Sequence, residues 1–194
     1  MNLSYRLCVL EVLSPVTGRF PHQSIARDYR KSMSEIQTLI DAYSTGSVTL
    51  HAAMQTVDDH QLDLQPIEGK WSIREVVCHL ADSEIVYADR IKRVLAEDNP
   101  TFFEADPEQF RRSLRVKDRN IEAELNVVEL IREHMAPILR SMDRRDFQRM
   151  GHHSLDGPMT IMTLLQRITD HIPHHVRFIN EKVAAIQFHQ SEGD

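Results

Sequence analysis

The chain has 194 residues and a net charge of −6, from 29 acidic and 23 basic side chains. This length suits one well-buried domain, and the negative charge argues against nucleic-acid binding as the main role. The only two cysteines lie outside any C-x-x-C motif, which argues against a disulfide framework or a cysteine-based zinc site and favours the reducing cytosol.

The ends of the chain are predicted to lie outside the domain. Residues 1–23 contain a short apolar run that Glu11 interrupts, so we interpret them as a poorly ordered extension and not as a signal peptide. The domain is predicted over residues 24–190, with a tail at 191–194. No segment approaches the roughly 20 apolar residues that a membrane span requires.

The first helix is predicted to begin after Ser24, because apolar side chains from Ile25 to Tyr43 follow spacings of three and four. Four turn-forming residues at 44–47 are expected to end it. A shorter helix is then predicted over residues 48–57, followed by a polar loop over residues 58–70.

The second helix has the clearest start in the chain. Ser72 and Glu75 are spaced as a capping box, and Trp71 before the cap can pack against Val76 as a hydrophobic staple. The helix carries an apolar stripe from residue 73 to residue 95, with a carboxylate near its middle and a histidine, His79, at its edge.

That carboxylate, Glu84, should be paired or used in chemistry, since an unpaired buried charge costs several kcal/mol. The favoured interpretation is a structural pair with an arginine or histidine of a neighbouring helix. Direct catalytic use is the alternative.

The connection over residues 98–119 has no helical period, but Pro107 to Leu114 can form a short helix. Phe102 and Phe103 are expected to close the end of the core. Five basic residues cluster here and predict a solvated face, or a site for an anionic substrate. They are Arg111, Arg112, Arg115, Lys117 and Arg119.

The third long helix is predicted over residues 120–142, with a bend at Pro137. A loop rich in turn residues follows, in which His152 and His153 are expected to be exposed. The fourth long helix begins after Thr160, its apolar stripe extends to Ile186, and Pro173 should kink it.

Four long amphipathic helices and no convincing strand predict an all-α four-helix bundle, with a short extra helix and a long connection between the second and third long helices. In such a bundle His79 can meet His171 and His175, which lie one turn apart on the fourth long helix. Alone, that histidine pair is more typical of a helix face near water. With His79 it forms a set of three imidazoles, which leaves a coordination position open, as in catalytic metal sites. His174 points further round the helix and is expected behind the ligands or at the surface.

Three segments resemble the DinB/YfiT-like superfamily: K-W-S-I-R-E at residues 70–75, H-L-A-D-S-E at 79–84 and H-I-P-H-H at 171–175. The resemblance covers residues 24–188. It implies a bundle of up-down-down-up topology, often dimeric, in which three histidines hold a divalent metal, commonly nickel or zinc. Carried over to this chain, these ligands are His79, His171 and His175.

Known activities in that superfamily include bacillithiol S-transferases and mycothiol-dependent maleylpyruvate isomerases. The resemblance therefore implies a metal-dependent enzyme that activates a thiol or a water and acts on a small molecule. Such an enzyme would be a thiol transferase or a hydrolase, and a thiol transferase would also use a low-molecular-weight thiol cofactor. From their helical positions, Glu84 is predicted to orient a ligand or accept a proton, and Tyr87 and Arg90 to bind substrate.

Two other functions stay open. The bundle can be a non-catalytic module that uses its histidines to bind a metal or a small ligand. A ferritin-like dimetal protein is less favoured, because that class requires Glu-x-x-His pairs on two helices and the sequence contains none.

Overall fold

The computed structural model describes residues 22–191, with side chains from Met33 onward except that of Gln190. The extension predicted at residues 1–23 and the tail at 191–194 therefore lie outside the described residues, except that His22 begins the first helix and Ser191 ends the last. No helix in this range is long and apolar enough to cross a membrane.

The described residues form four long α-helices and one short α-helix, with three single-turn 3-10 helices in the connections, so the all-α four-helix bundle is confirmed. The helices are α1 His22–Met54, α2 Ile73–Ala96, α3 Pro107–Ser113, α4 Ile121–Ser141 and α5 Ile161–Ser191. A small sheet contains β1 Thr101–Phe102, β2 Met150–His153 and β3 Gly157–Thr160.

Side-chain caps begin α2, α4 and α5 where the sequence predicts these helices to start, whereas α1 begins at His22, before the predicted start at Ser24. The Ser72 side chain accepts a hydrogen bond from the Glu75 backbone N–H at 3.2 Å, and the Glu75 carboxylate accepts one from the Ser72 N–H at 2.7 Å. Asn120 caps α4 through the Ala123 N–H at 2.9 Å, and the Thr160 hydroxyl caps α5. These bonds satisfy backbone donors that have no partner inside the helix.

The core has two halves, one toward each end of the bundle. The parts of each helix that they contain show in which direction that helix runs. One half contains the beginning of α1 and α5 and the ends of α2 and α4, including Ile36, Val94, Leu139 and Leu164. The other contains the end of α1, the beginning of α2 and α4, and the later part of α5, including Leu50, Val77, Val128 and Ile179. Helices α1 and α5 thus run one way and α2 and α4 the other, which is the predicted up-down-down-up order. The connection between α2 and α4 therefore has to travel the length of the bundle.

The first helix does not end at residues 44–47 as predicted; α1 continues to Met54 and includes the separate short helix. The hydroxyl of Ser44 donates to the Ile40 carbonyl at 2.8 Å, and that of Thr45 to the Asp41 carbonyl at 3.0 Å, so both polar side chains are satisfied within the helix. Gly46 and Ser47 are buried against the other helices, and tertiary packing outweighs their turn preference.

The expectation of no strand was also wrong in detail. β1 pairs in parallel with β2, and β2 pairs with β3 in antiparallel fashion around a turn that ends at Gly157, whose φ is +75°. The connections that follow α2 and α4 meet at one end of the bundle, where they pair. Phe102 is buried as predicted, whereas Phe103 is 75% exposed and does not close the core.

Candidate metal centre

His79 is presented on the first turns of α2. The capping box at Ser72 and Glu75 sets the start of this helix, and Trp71 packs edge-on against the His79 ring with 5.3 Å between ring centroids. The salt bridges from Arg119 to Asp82 and Glu124 hold the long connection against the same part of α2. The position of His79 is thus set from both sides.

His171 and His175 lie on α5, which continues without interruption through Pro173. Their ring centroids are 4.6 Å apart, so the proline does not separate the two rings. The Nε2 atoms of His79 and His171 are 3.0 Å apart. One nitrogen from each of the three rings falls within 4.8 Å of the others, and two nitrogens on one tetrahedral zinc would be about 3.3 Å apart.

The environment of the three rings favours the neutral imidazole. Burial lowers the pKa of His79. Burial, assisted by the neighbouring imidazoles, lowers the pKa of His171 and of His175 to about 3. A neutral ring is the form that binds a metal. The Nδ1 atoms of His171 and His175 are buried and have no hydrogen-bond partner among the described residues, so the protein itself leaves part of this polar cluster unsatisfied.

A cavity of about 390 Å³ opens beside His79 and His171. Polar and aromatic side chains from α2, α5 and both long connections line it, including Ser83, Tyr87, Arg90, His153 and Arg167. His175 faces a second cavity of about 370 Å³, whose walls include Trp71 and Phe178. The three histidines could hold a metal ion between two spaces of different polarity.

Comparison with known proteins identifies the family of this chain. The family model of the DinB superfamily matches residues 43–179. This chain belongs to the DinB superfamily. The match includes all three histidines and excludes both ends of the chain.

Relatives of this DinB chain have names that refer to metal-dependent hydrolysis. A "Putative metal-dependent hydrolase" of Geobacillus thermodenitrificans is 29% identical over 160 residues, which cover 82% of this chain and 86% of the relative. The "Putative metal-dependent hydrolase YfiT" of Bacillus subtilis is 25% identical over 182 residues, covering 93% and 94% of the two chains.

A solved structure of Bacillus subtilis YfiT has the same fold. It is described as "a probable metal-dependent hydrolase with an unusual four-helix bundle topology" and superposes with a TM-score of 0.74 at 24% identity, covering 79% of this chain and 89% of the other. The likeness confirms the bundle architecture of the DinB chain.

The predicted substrate-binding residues, Tyr87 and Arg90, both lie in the wall of the cavity beside His79. Arg90 is only 6% exposed and donates a hydrogen bond to the Phe103 carbonyl at 2.6 Å. The structure therefore brings both residues to the space that His79 and His171 share, and their binding role stays a prediction.

Glu84 lies deep in the core, 1% exposed, and its carboxylate accepts hydrogen bonds from the Arg132 guanidinium and from the Tyr43 hydroxyl at 3.3 Å. This is the structural pairing that the sequence favoured. Glu84 lines neither cavity beside the histidines, and its catalytic role stays a prediction. Arg132, which sequence reasoning did not single out, supplies the pairing charge from α4.

The flanking histidines fall in different places. His174 is exposed; its Nδ1 is 3.0 Å from Arg177, and its ring packs edge-on against His175 with a centroid distance of 5.1 Å. His152 is exposed as expected. His153 was expected to be exposed but is 2% exposed, because pairing of β2 with β1 covers it. Its Nδ1 accepts the Asp156 backbone N–H at 3.1 Å, and its Nε2 is 3.2 Å from Glu104.

The basic cluster of the long connection is mostly neutralised. Arg111 pairs with Glu75 and Glu108, Arg112 also contacts Glu108, and Arg119 pairs with Asp82 and Glu124. These ion pairs fasten the connection to α2 and support the solvated, structural interpretation of the cluster.

Proposed function

We propose that the protein is a divalent-metal-dependent enzyme in which His79, His171 and His175 hold the ion, and that it acts on a small molecule by hydrolysis or by thiol transfer. The observation that carries the proposal is the meeting of three imidazoles between two cavities, with His79 and His171 in the wall of one and His175 in the wall of the other. Three protein ligands leave a coordination position for a substrate, whereas structural zinc sites are closed by four.

Nickel or zinc suits this set of ligands, since both bind imidazole well. When bound, the ion would lower the pKa of a water or thiol and so supply a nucleophile at neutral pH. The names of the DinB relatives support the hydrolase alternative. The resemblance to bacillithiol and mycothiol enzymes supports transfer with a low-molecular-weight thiol cofactor.

The protein side chains have separate tasks in this proposal. Trp71 packs on the His79 ring and fixes its orientation. Tyr87 and Arg90 present a phenol and a guanidinium to the cavity, where they would position the substrate. The apolar side chains of Val86 and Phe110 line the same cavity and would exclude part of its water. The resemblance also implies that the protein forms a homodimer, which light scattering would measure.

Metal affinity tests the site directly. In calorimetric titrations with zinc and nickel, replacing His79, His171 or His175 by Ala is expected to weaken binding by more than about 100-fold, because loss of a direct ligand exceeds the 10–100-fold cost of losing a supporting contact. His174→Ala on the same helix is the matched control, expected to change affinity by less than about 10-fold because His174 forms no hydrogen bond to a ligand ring.

Activity distinguishes the reaction classes. Zinc- and nickel-loaded protein is assayed against activated esters and amides without thiol, and against electrophiles with low-molecular-weight thiols. Turnover that disappears in His171→Ala supports an enzyme. Unchanged metal affinity in all three ligand variants contradicts the site, and stoichiometric metal without turnover in either assay favours a non-catalytic binding module.

A further inference from the structure

The cavity beside His79 and His171 is lined by five acidic or basic side chains, and four of them have an oppositely charged group or a histidine beside them. Asp82 accepts two hydrogen bonds from Arg119, at 2.8 and 2.9 Å. Asp156 pairs with Arg167 at 2.6 Å, and Glu104 lies 3.2 Å from the His153 ring. The fifth, Arg90, forms no ion pair with any carboxylate of the described side chains.

Arg90 is also poorly supplied with hydrogen bonds. A guanidinium has five N–H donors, and among the described residues only the Phe103 carbonyl accepts from it, at 2.6 Å. The guanidinium carbon lies 5.2 Å from the Tyr87 ring centroid and 5.5 Å from that of Phe102. These aromatic faces hold the guanidinium in place, but they do not neutralise it or use its remaining donors.

A cation that is 6% exposed and has no carboxylate within ion-pair distance among the described side chains is costly to bury. Asp156, in the wall of the same cavity, interacts with Arg90 only at longer range and is itself paired with Arg167. An external anion in the cavity would offset that cost, and the planar fork of an arginine matches the two oxygens of a carboxylate. The three carboxylates of the cavity wall, Asp82, Glu104 and Asp156, disfavour a ligand with more than one negative charge.

We propose that Arg90 is the anion-recognition residue of this site and that the substrate is a small monoanionic carboxylate whose reacting group lies toward His79 and His171. That the bound anion is a substrate rests on the proposed function, whereas the anion site itself rests on Arg90 alone. Arg90 acts by binding and orientation. The cavity of about 390 Å³ accepts a molecule of the size of an aromatic or short aliphatic acid.

Calorimetric titration with benzoate and its neutral isostere benzamide tests the proposal, on metal-free and on zinc-loaded protein. Benzoate is expected to bind at least about 10-fold more tightly than benzamide in both forms, since charge-assisted hydrogen bonds are the stronger ones. This comparison uses the unaltered chain and so does not depend on the folding of a variant.

Two arginine variants on α2 then locate the anion. Arg90→Gln is expected to remove the preference for benzoate. Arg93→Gln, which changes an exposed arginine paired with Asp89 and Glu97, is expected to retain it. Thermal unfolding of both variants is measured in parallel, and Arg90→Lys, which keeps the charge but loses the fork, should give an intermediate preference.

Several outcomes overturn the inference. Equal binding of benzoate and benzamide contradicts an anion site. Benzoate binding that requires zinc and persists in Arg90→Gln places the anion on the metal, which leaves the proposed metal-dependent function intact. Tighter binding of phenyl phosphate than of benzoate, lost in Arg90→Gln, contradicts the carboxylate assignment. Failure of zinc to bind while benzoate binding depends on Arg90 rejects the metal-dependent function and retains the anion site.

Discussion

Two polar clusters of this bundle, one within the apolar core and one at the cavity walls beside it, differ in how well the protein satisfies them. Arg132 is fully buried and donates to the Glu84 carboxylate and to the backbone carbonyls of Tyr43 and Ile168, so it joins all four long helices. In the histidine cluster, by contrast, the Nε2 atoms of His79 and His171 face each other at 3.0 Å, and the buried Nδ1 atoms of His171 and His175 have no partner among the described residues. A satisfied cluster is complete as a structural element, whereas an unsatisfied one has capacity for an external ligand.

The largest expected effect comes from breaking the satisfied cluster. Arg132→Met leaves Glu84 as a buried carboxylate without a counter-charge, which should lower the free energy of unfolding by about 3–5 kcal/mol. Urea denaturation at pH 7 measures this change. On the same helix, Arg140→Met removes an exposed pair with Asp41 and should cost less than about 1 kcal/mol.

The double variant Glu84→Leu with Arg132→Met sharpens the result. Because it removes both buried charges, it is expected to be more stable than Arg132→Met alone. Equal stability of the Arg132→Met and Arg140→Met proteins would show that the buried pair does not hold the bundle.

A smaller effect is expected at Gly46, which provides the space that Arg132 occupies. A Cβ at this position would overlap the Arg132 guanidinium, so Gly46→Ala should destabilise by about 1–3 kcal/mol, although alanine is normally favoured over glycine in a helix. Thr45→Ala, at the exposed neighbouring position, is the control and should be neutral or stabilising. Stabilisation by Gly46→Ala would contradict the close packing, and both are measured by urea denaturation.

The burial of the histidine cluster should make the stability of the metal-free protein depend on pH. In the metal-free protein the folded-state pKa of His171 is about 3, below its ordinary value near 6.5. The unfolded chain therefore binds more protons between these values, and stability falls as pH decreases through this window. Between pH 7 and 5 the loss should be about 1–2 kcal/mol for this histidine.

Denaturation of metal-free protein at both pH values, with a chelator present, measures that loss. His171→Ala should reduce it, whereas His174→Ala, at an exposed position, should leave it unchanged. An identical pH dependence in the unaltered chain and in His171→Ala would show that burial of this ring does not affect its protonation.

Features that depend on near neighbours along the chain were predictable. The Ser72 and Glu75 capping box requires only a three-residue spacing, and the face that His171 and His175 share follows from the helical period. The need of Glu84 for a cationic partner also followed from its place in an apolar stripe. That the partner is Arg132, from a helix 48 residues further along the chain, did not.

Features that depend on distant segments were missed for one physical reason: a residue's local preferences do not report what packs against it. Turn chemistry around residues 150–160 indicated an exposed loop, yet pairing of β2 with β1 buries His153. Likewise, Gly46 is typical of a helix end, but it lies inside α1, where its lack of a side chain leaves room for the buried Arg132 guanidinium of α4.

The sequence by itself determined the four amphipathic helices, their caps and the three histidines at helical spacing, because these patterns are written within single helices. Only the tertiary structure decided that the histidines meet between two cavities, that Glu84 is neutralised by Arg132, and that the buried Arg90 forms no ion pair among the described side chains. Those properties are set by distances between helices, and such distances follow from the packing of the whole bundle.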